Sequence, residues 1–168
     1  MTIVNPNHAE FKTQDAASYN PVAQSFDRFV TQLSAPVAAR LVALAGLAPD
    51  NHVLDVGAGT GIVALRAVAE MGPSGRVVGI DLSDGMLEVA RQNARGRGLA
   101  DRVEFRKMDA ESLDCKDGSF DAVVSLFALR HFPHPETALQ EMHRVLRPGG
   151  RLVLAVGSGA PWLSLVGL

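Results

Sequence analysis

The chain has 168 residues, 47% apolar and 20% charged, with a formal net charge of −2. That length suits one domain with a single core, and so small a charge gives no electrostatic reason to expect nucleic acid or an anionic membrane as a partner. No apolar run reaches the roughly 20 residues that span a bilayer; residues 1–8 carry no basic-then-apolar leader; and a lone cysteine, Cys115, excludes an internal disulfide and suits a reducing compartment. The chain reads as cytoplasmic, and Cys115 as a half-buried thiol rather than a nucleophile, since no motif surrounds it.

In chain order, residues 1–18 are polar and read as a flexible N-terminal segment. Residues 21–33 and 36–47 predict two helices. The second carries Val37, Leu41, Leu44 and Ala45 as its apolar stripe and stops at Gly46 and Pro49. Strand and helix then alternate: strand 52–56, helix 62–71, strand 76–81 and helix 85–95, with Ser83 as the N-cap of the second helix. Strands at 102–106 and 120–125 follow. A last helix opens at Pro135 with Ala138, Leu139, Met142, Val145 and Leu146 inward; Gly149 and Gly150 end it, and 151–156 is a fifth strand. This alternation predicts an α/β, Rossmann-like doubly wound parallel sheet. The domain spans 19–156, and 157–168 is a short apolar tail.

The segment Asp55-Val56-Gly57-Ala58-Gly59-Thr60-Gly61 joins the first predicted strand to its helix. A glycine-lined strand-to-helix turn makes a ligand crevice at the carboxyl edge of a parallel sheet. The spacing is GxGxG followed by Ile62, so the dinucleotide fingerprint GxGxxG is not met. Asp55 argues the same way. A carboxylate beside a docked pyrophosphate costs roughly 1–4 kcal/mol at about 4 Å. The loop favours a cofactor bearing a cation or an amino group.

At these residues the chain resembles the class I S-adenosylmethionine-dependent methyltransferases, from about Tyr19 to Val156. After the glycine loop, Val77-Val78-Gly79-Ile80-Asp81-Leu82-Ser83 resembles the family's second strand and its acidic end. Arg106-Lys107-Met108-Asp109-Ala110-Glu111 resembles the loop after strand three. The segment from Phe120 to Arg130 resembles strand four and its exit, and Val145-Leu146-Arg147-Pro148-Gly149-Gly150-Arg151-Leu152 the closing helix-turn-strand. Phe127-Ala128-Leu129-Arg130 is similar to the ubiquinone/menaquinone C-methyltransferase branch.

The resemblance implies S-adenosylmethionine as cofactor and a small-molecule acceptor. Asp55 and the backbone of Gly57, Ala58, Gly59 and Gly61 would hold its amino acid end, and Asp81 its ribose hydroxyls. Leu82 and Met86 would pack near ribose and adenine, with Asp109 and Ala110 meeting the adenine edge. Ser125 would touch the methionine end through its carbonyl, and Tyr19 belongs to an N-terminal helix that folds over the cofactor. His131 is the titratable group best placed as a base, although proximity and alignment can drive an in-line methyl transfer without one. His8, His52, His134 and His143 lack metal-ligand spacing, so no metal centre is predicted.

The family's sheet has seven strands, yet twelve residues follow Val156, too few for a helix and two strands of about five residues each. The resemblance therefore implies a sheet truncated after its fifth strand, with the acceptor half missing. Three readings stand. The first is a small-molecule methyltransferase completed by a homo-oligomer or a second polypeptide at the fifth-strand edge. The second is a non-catalytic S-adenosylmethionine-binding partner or scaffold. The third, a nicotinamide oxidoreductase, is disfavoured by GxGxG, by Asp55 and by the lack of a Tyr-x-x-x-Lys pair.

Overall fold

Five parallel strands form one sheet in the order β3-β2-β1-β4-β5 in the computed structural model, which describes residues 7–157. They are β1 (His52–Val56), β2 (Arg76–Asp81), β3 (Val103–Lys107), β4 (Phe120–Leu126) and β5 (Leu146–Ala155). The helices are α1 (His8–Tyr19), α2 (Ala23–Ala45), α3 (Ile62–Glu70), α4 (Asp84–Gly96) and α5 (Pro135–Val145), with single 3-10 turns at Asn20–Val22 and Leu129–His131. The chain runs outward from β1 to β3, then returns to place β4 on the other side of β1. That reversal opens a crevice beyond the carboxyl ends of β1, β2 and β4.

The strands read as near-continuous apolar runs because both faces of the sheet are covered. Val53, Val77, Val103, Ala122 and Val124 point to one core with α2, α3 and α4 residues such as Leu41, Leu65 and Leu87. Leu54, Val56, Val78, Ile80 and Val123 point to the other, against Ala138, Met142 and Val145 of α5. Leu54, Leu65, Ile80, Leu87 and Met142 are fully buried, each contributing about 1.5–3 kcal/mol of apolar burial. Asp55 lies between these layers, in register with Gly79 on one side and Val124 on the other.

Four expectations change. Most of the segment expected to be flexible is helix α1. It buries no residue, and its first turn is capped by Asn7, whose side chain accepts from the Ala9 N–H at 3.3 Å. The two expected helices at 21–47 are a single helix, α2, with Pro36 inside it. An interior proline costs about 3 kcal/mol, and burial of Ala38, Leu41, Val42 and Ala45 along the same helix offsets it. The buried stripe of α2 is also rotated from the expected one: Leu41 and Ala45 are inside, while Val37 and Leu44 are exposed. Finally, α5 stops at Val145 and β5 begins at Leu146, where Phe120 pairs with it. Pro148 disfavours helical backbone at Arg147, so Gly149 and Gly150 lie within β5, at an irregularity in its pairing with β4, rather than at a helix end.

Candidate active site

The glycine loop crosses the top of β1 with positive φ at Gly57 (70°) and Gly59 (54°), a region open to glycine at little cost. A Cβ on Gly57 would collide with that of Ala128, which closes over the loop from beyond β4. A Cβ on Gly59 would meet nothing within 4 Å. The loop is thus tight at its first glycine and open at its second, a cradle that any side chain at 59 would fill. The Ala58 N–H donates to Ile80 O at 2.8 Å, and the Gly61 N–H to Ala58 O at 2.9 Å, where α3 begins.

Two carboxylates flank this loop. Asp81, at the end of β2, accepts from the Gly59 N–H through Oδ2 and from the Ser83 N–H through Oδ1, both at 2.9 Å. An ionised carboxylate has about four acceptor sites, so two remain for a ligand's hydroxyls. Burial pushes its carboxyl above the ordinary range, against the Ser83, Gly59 and Leu82 N–H groups and the nearby His131. Asp55 lies deeper than expected, sealed under the loop at 1% exposure instead of lining the open crevice. Its Oδ2 accepts from the Ala64 N–H at 2.9 Å and so caps α3 across the loop. Its Oδ1 has no hydrogen-bond partner among the described residues. Burial pushes the Asp55 carboxyl up to about 7, the charge of Asp81 adds to this, and the Ala64 N–H opposes it. Neither carboxylate has a lysine or arginine ion-pair partner among the described residues.

The other candidates come from three loops and from α1. After β2, the Ser83 hydroxyl accepts from the Met86 N–H at 3.2 Å and donates to Asn20 Oδ1 at 2.8 Å. Met86 is buried with Ala23 and Val89 beneath Tyr19 and Phe26, and Leu82, the residue after Asp81, is half-buried. After β3, Asp109 accepts from Lys12 Nζ at 2.7 Å and from the Glu111 N–H at 2.9 Å, and Lys12 also pairs with Glu111 at 2.7 Å. Partial burial works against the Lys12 ammonium, but the hydrogen bonds and charges of those two carboxylates hold it above the ordinary lysine value. The Ala110 side chain packs in the core beneath this loop. After β4, His131 Nδ1 lies 3.0 Å from Asp15 Oδ2, and the Tyr19 ring meets the imidazole edge-on at 5.6 Å. Burial raises the Tyr19 phenol pKa, with Asp15 and Asp81 adding and Arg130 opposing.

The fold therefore gathers the glycine loop, Asp81, Tyr19 and His131 at one crevice, with Asp109 at the neighbouring loop. It spends the Ser125 side chain elsewhere: that buried hydroxyl donates to Val56 O at 2.8 Å and ties two strand tips together. Sequence reasoning missed Lys12, Asp15 and Asn20, which lace α1 to the loops after β3, β4 and β2. The spacing of Lys12, Asp15 and Tyr19 at three and four residues, in a stretch free of glycine and proline, was the available signal. It also missed Phe127, which leaves β4 at a positive φ of 60° and lines a recess of about 330 Å³ with Leu129, Arg130, Pro135 and Val156. A larger hollow of about 650 Å³, lined by His52, Arg76 and Phe120, opens at the amino ends of the strands, away from this chemistry.

Residues 54–154 match the family described as a methyltransferase domain. The chain is 42% identical over 127 residues to the ubiquinone/menaquinone biosynthesis C-methyltransferase UbiE of Ectopseudomonas mendocina, covering 74% of this chain and 50% of that protein. Among solved structures it is similar to the [4+2]-cyclase SpnF, with a TM-score of 0.78 and 28% identity over 85% of this chain and 59% of that one. It is also similar to a Haloferax volcanii protein solved in complex with the Trm112 methyltransferase activator, with a TM-score of 0.71 and 26% identity over 86% of this chain and 60% of that one. The chain spans about half the length of the curated relatives it matches. With the glycine loop, the acidic end of β2 and the strand order all in agreement, the chain belongs to the class I S-adenosylmethionine-dependent methyltransferase family.

Proposed function

We propose that this chain binds S-adenosylmethionine in the glycine-loop crevice and transfers its methyl group to a small-molecule acceptor. One observation carries the reading: two carboxylates flank an open glycine cradle, and one of them, Asp55, is buried with an unsatisfied oxygen. A buried anion is costly without a cation, and the cofactor's ammonium and sulfonium are cations. A dinucleotide would bring more negative charge to the same place. Fold alone would not decide the reaction, since one structural neighbour is the [4+2]-cyclase SpnF.

In this reading the free sites on Asp81 accept the ribose hydroxyls. Gly57, Ala58, Gly59 and Gly61 offer bare backbone to the amino acid end, and Asp55 balances its charge from below. Asp109 and the Ala110 amide meet the adenine edge, Leu82 and Met86 support the ring, and the Ser125 carbonyl borders the methionine end. Tyr19 covers the crevice. The cofactor, when bound, supplies a methyl carbon activated by a sulfonium that leaves as a neutral thioether. The acceptor atom gives its electron pair to that carbon, and His131 takes the proton the acceptor sheds and releases it to solvent. The apolar recess at Phe127 and Leu129, adjoining His131 in the chain, supports a small acceptor.

The acceptor side is completed at β5, in this proposal by a second polypeptide or a second copy of this chain. Among the described residues β5 is an edge strand, paired only with β4, and an unblunted edge is a template for pairing. Nearby α2 exposes Phe29 (64%) and Leu33 (70%). Sedimentation over a wide concentration range should show self-association; a monomer with full methyl transfer would remove the partner. For the function itself, calorimetric titration should show S-adenosylmethionine binding and no NADH binding, and an acceptor panel should yield S-adenosylhomocysteine. Binding without turnover would leave a cofactor-binding scaffold. No binding of S-adenosylmethionine would overturn both.

A further inference from the structure

The contact between His131 Nδ1 and Asp15 Oδ2, 3.0 Å long, joins residues 116 positions apart, and both side chains are half-buried. An ionised carboxylate only accepts hydrogen bonds, so the ring nitrogen facing it is the donor. A neutral imidazole that donates from Nδ1 keeps its lone pair on Nε2. The ring has one further contact and its backbone another. The Tyr19 edge packs against it, one turn of α1 beyond Asp15. The backbone N–H of His131 donates to Ala128 O at 2.9 Å and fixes the turn that carries the ring, and Ala128 abuts Gly57 of the glycine loop.

We propose that Asp15 is a positioning residue, which fixes His131 as the Nδ1–H tautomer and leaves Nε2 as the ring's free acceptor for the substrate proton. The inference rests on the reading of His131 as proton acceptor. It adds a coupling. Asp15 belongs to α1, whose other anchors are Lys12 on Asp109 and Glu111, and Asn20 Oδ1, which accepts from the Ser83 hydroxyl and the Gly85 N–H. The oriented base therefore exists only while α1 lies across the loops after β2, β3 and β4. Closing the crevice and arming the base are one event.

Long-range proton–nitrogen NMR on the full chain, labelled in its histidines and recorded above neutral pH without cofactor or acceptor, reads the tautomer directly. The His131 signals are assigned by their loss in His131→Gln. The expected result is protonated Nδ1 and bare Nε2 in the unaltered chain. The Nδ1–H fraction should fall severalfold in Asp15→Ala and in Asp15→Asn, whose amide can donate to Nδ1 and favour the opposite tautomer. Lys12→Met, which loosens α1 but keeps Asp15, should lower the Nδ1–H fraction by less than Asp15→Ala does, because α1 still seats part of the time. An Nε2–H ring in the unaltered chain or no change in Asp15→Ala would each overturn the proposal, and no change in Lys12→Met would overturn the coupling to α1. None of these outcomes involves turnover. Full methyl transfer by His131→Gln would remove the base reading and leave the tautomer result standing, so the two failures are distinct.

Discussion

Replacing Asp55 with asparagine should stabilise this chain above neutral pH and weaken its binding of S-adenosylmethionine. The Asp55 carboxyl has an ordinary pKa of 3.8 and is pushed to about 7 in the folded chain. About three units at 1.36 kcal/mol each gives on the order of 4 kcal/mol. The folded state binds this proton more tightly than the unfolded state does, so the stabilisation is fully present below about pH 4. It is lost as pH rises through about 7, where the folded chain must hold a buried charge. Asparagine keeps an oxygen for the Ala64 N–H and cannot ionise. Urea unfolding from pH 4 to 9, compared between the two proteins, cancels the titrations they share. The Asp55 protein should lose on the order of 2–4 kcal/mol relative to Asp55→Asn across that window. Affinity for S-adenosylmethionine should rise with pH through about 7 only while Asp55 is present, because the bound cation favours the ionised form, and Asp55→Asn should bind about 1.5–3 kcal/mol more weakly. Parallel stability curves would refute the buried-charge argument. Equal affinities would refute the cofactor's use of that charge.

Asp81→Ala removes the acceptor of the Gly59 and Ser83 N–H groups and should cost about 1.5–3 kcal/mol of S-adenosylmethionine binding by calorimetry; unchanged affinity in a folded variant would remove the ribose assignment. Gly59→Ala enters open space, so it should cost only the roughly 1–2 kcal/mol of left-handed backbone while losing cofactor binding, whereas Gly57→Ala adds a collision with Ala128 and should lower the unfolding midpoint further. Equal midpoints would contradict that contrast. Gly85→Ala would bring a Cβ to 2.7 Å from Asn20 Cα and should unseat α1, seen as faster limited proteolysis within residues 7–22; unchanged protection would show that α1 is held elsewhere.

The residues of β1 and β2 were legible to the residue because burial on both faces turns them into continuous apolar runs, and Asp55, Gly57 and Gly75 punctuate their ends. The α2 break was misread because Pro36 is a strong local signal, and only the buried partners of Ala38, Leu41 and Val42 show why the helix continues. The end of α5 was misread for a related reason: Gly149 and Gly150 look like a helix stop, but pairing of Leu146 with Phe120 across the sheet had already made the chain a strand. At the crevice, the placement of Gly57, Gly59 and Asp81 could be read because it follows from backbone freedom and strand position. The depth of Asp55 could not, since it depends on a bond to Ala64 nine residues on, across the loop. Helix α1 escaped notice because it has no apolar stripe to find.

That lack of a stripe has a dynamic consequence. An element that buries no residue is attached chiefly by hydrogen bonds and ion pairs, with the half-buried Tyr19 ring at its end packed against Phe26 and His131, and exposed pairs contribute about 0.2–1 kcal/mol each. The Lys12, Asp15 and Asn20 anchors, all partly exposed, then sum to a few kcal/mol, against roughly 5–15 kcal/mol for a whole domain. Helix α1 should open far more often than the sheet unfolds, as the low-stability end of a structure does. Opening frees Asp109 from Lys12 and separates Asp15 from His131 in the same movement. In the proposed mechanism the cofactor exchanges while His131 is unoriented, and the Asp15–His131 pair re-forms only when α1 is seated again.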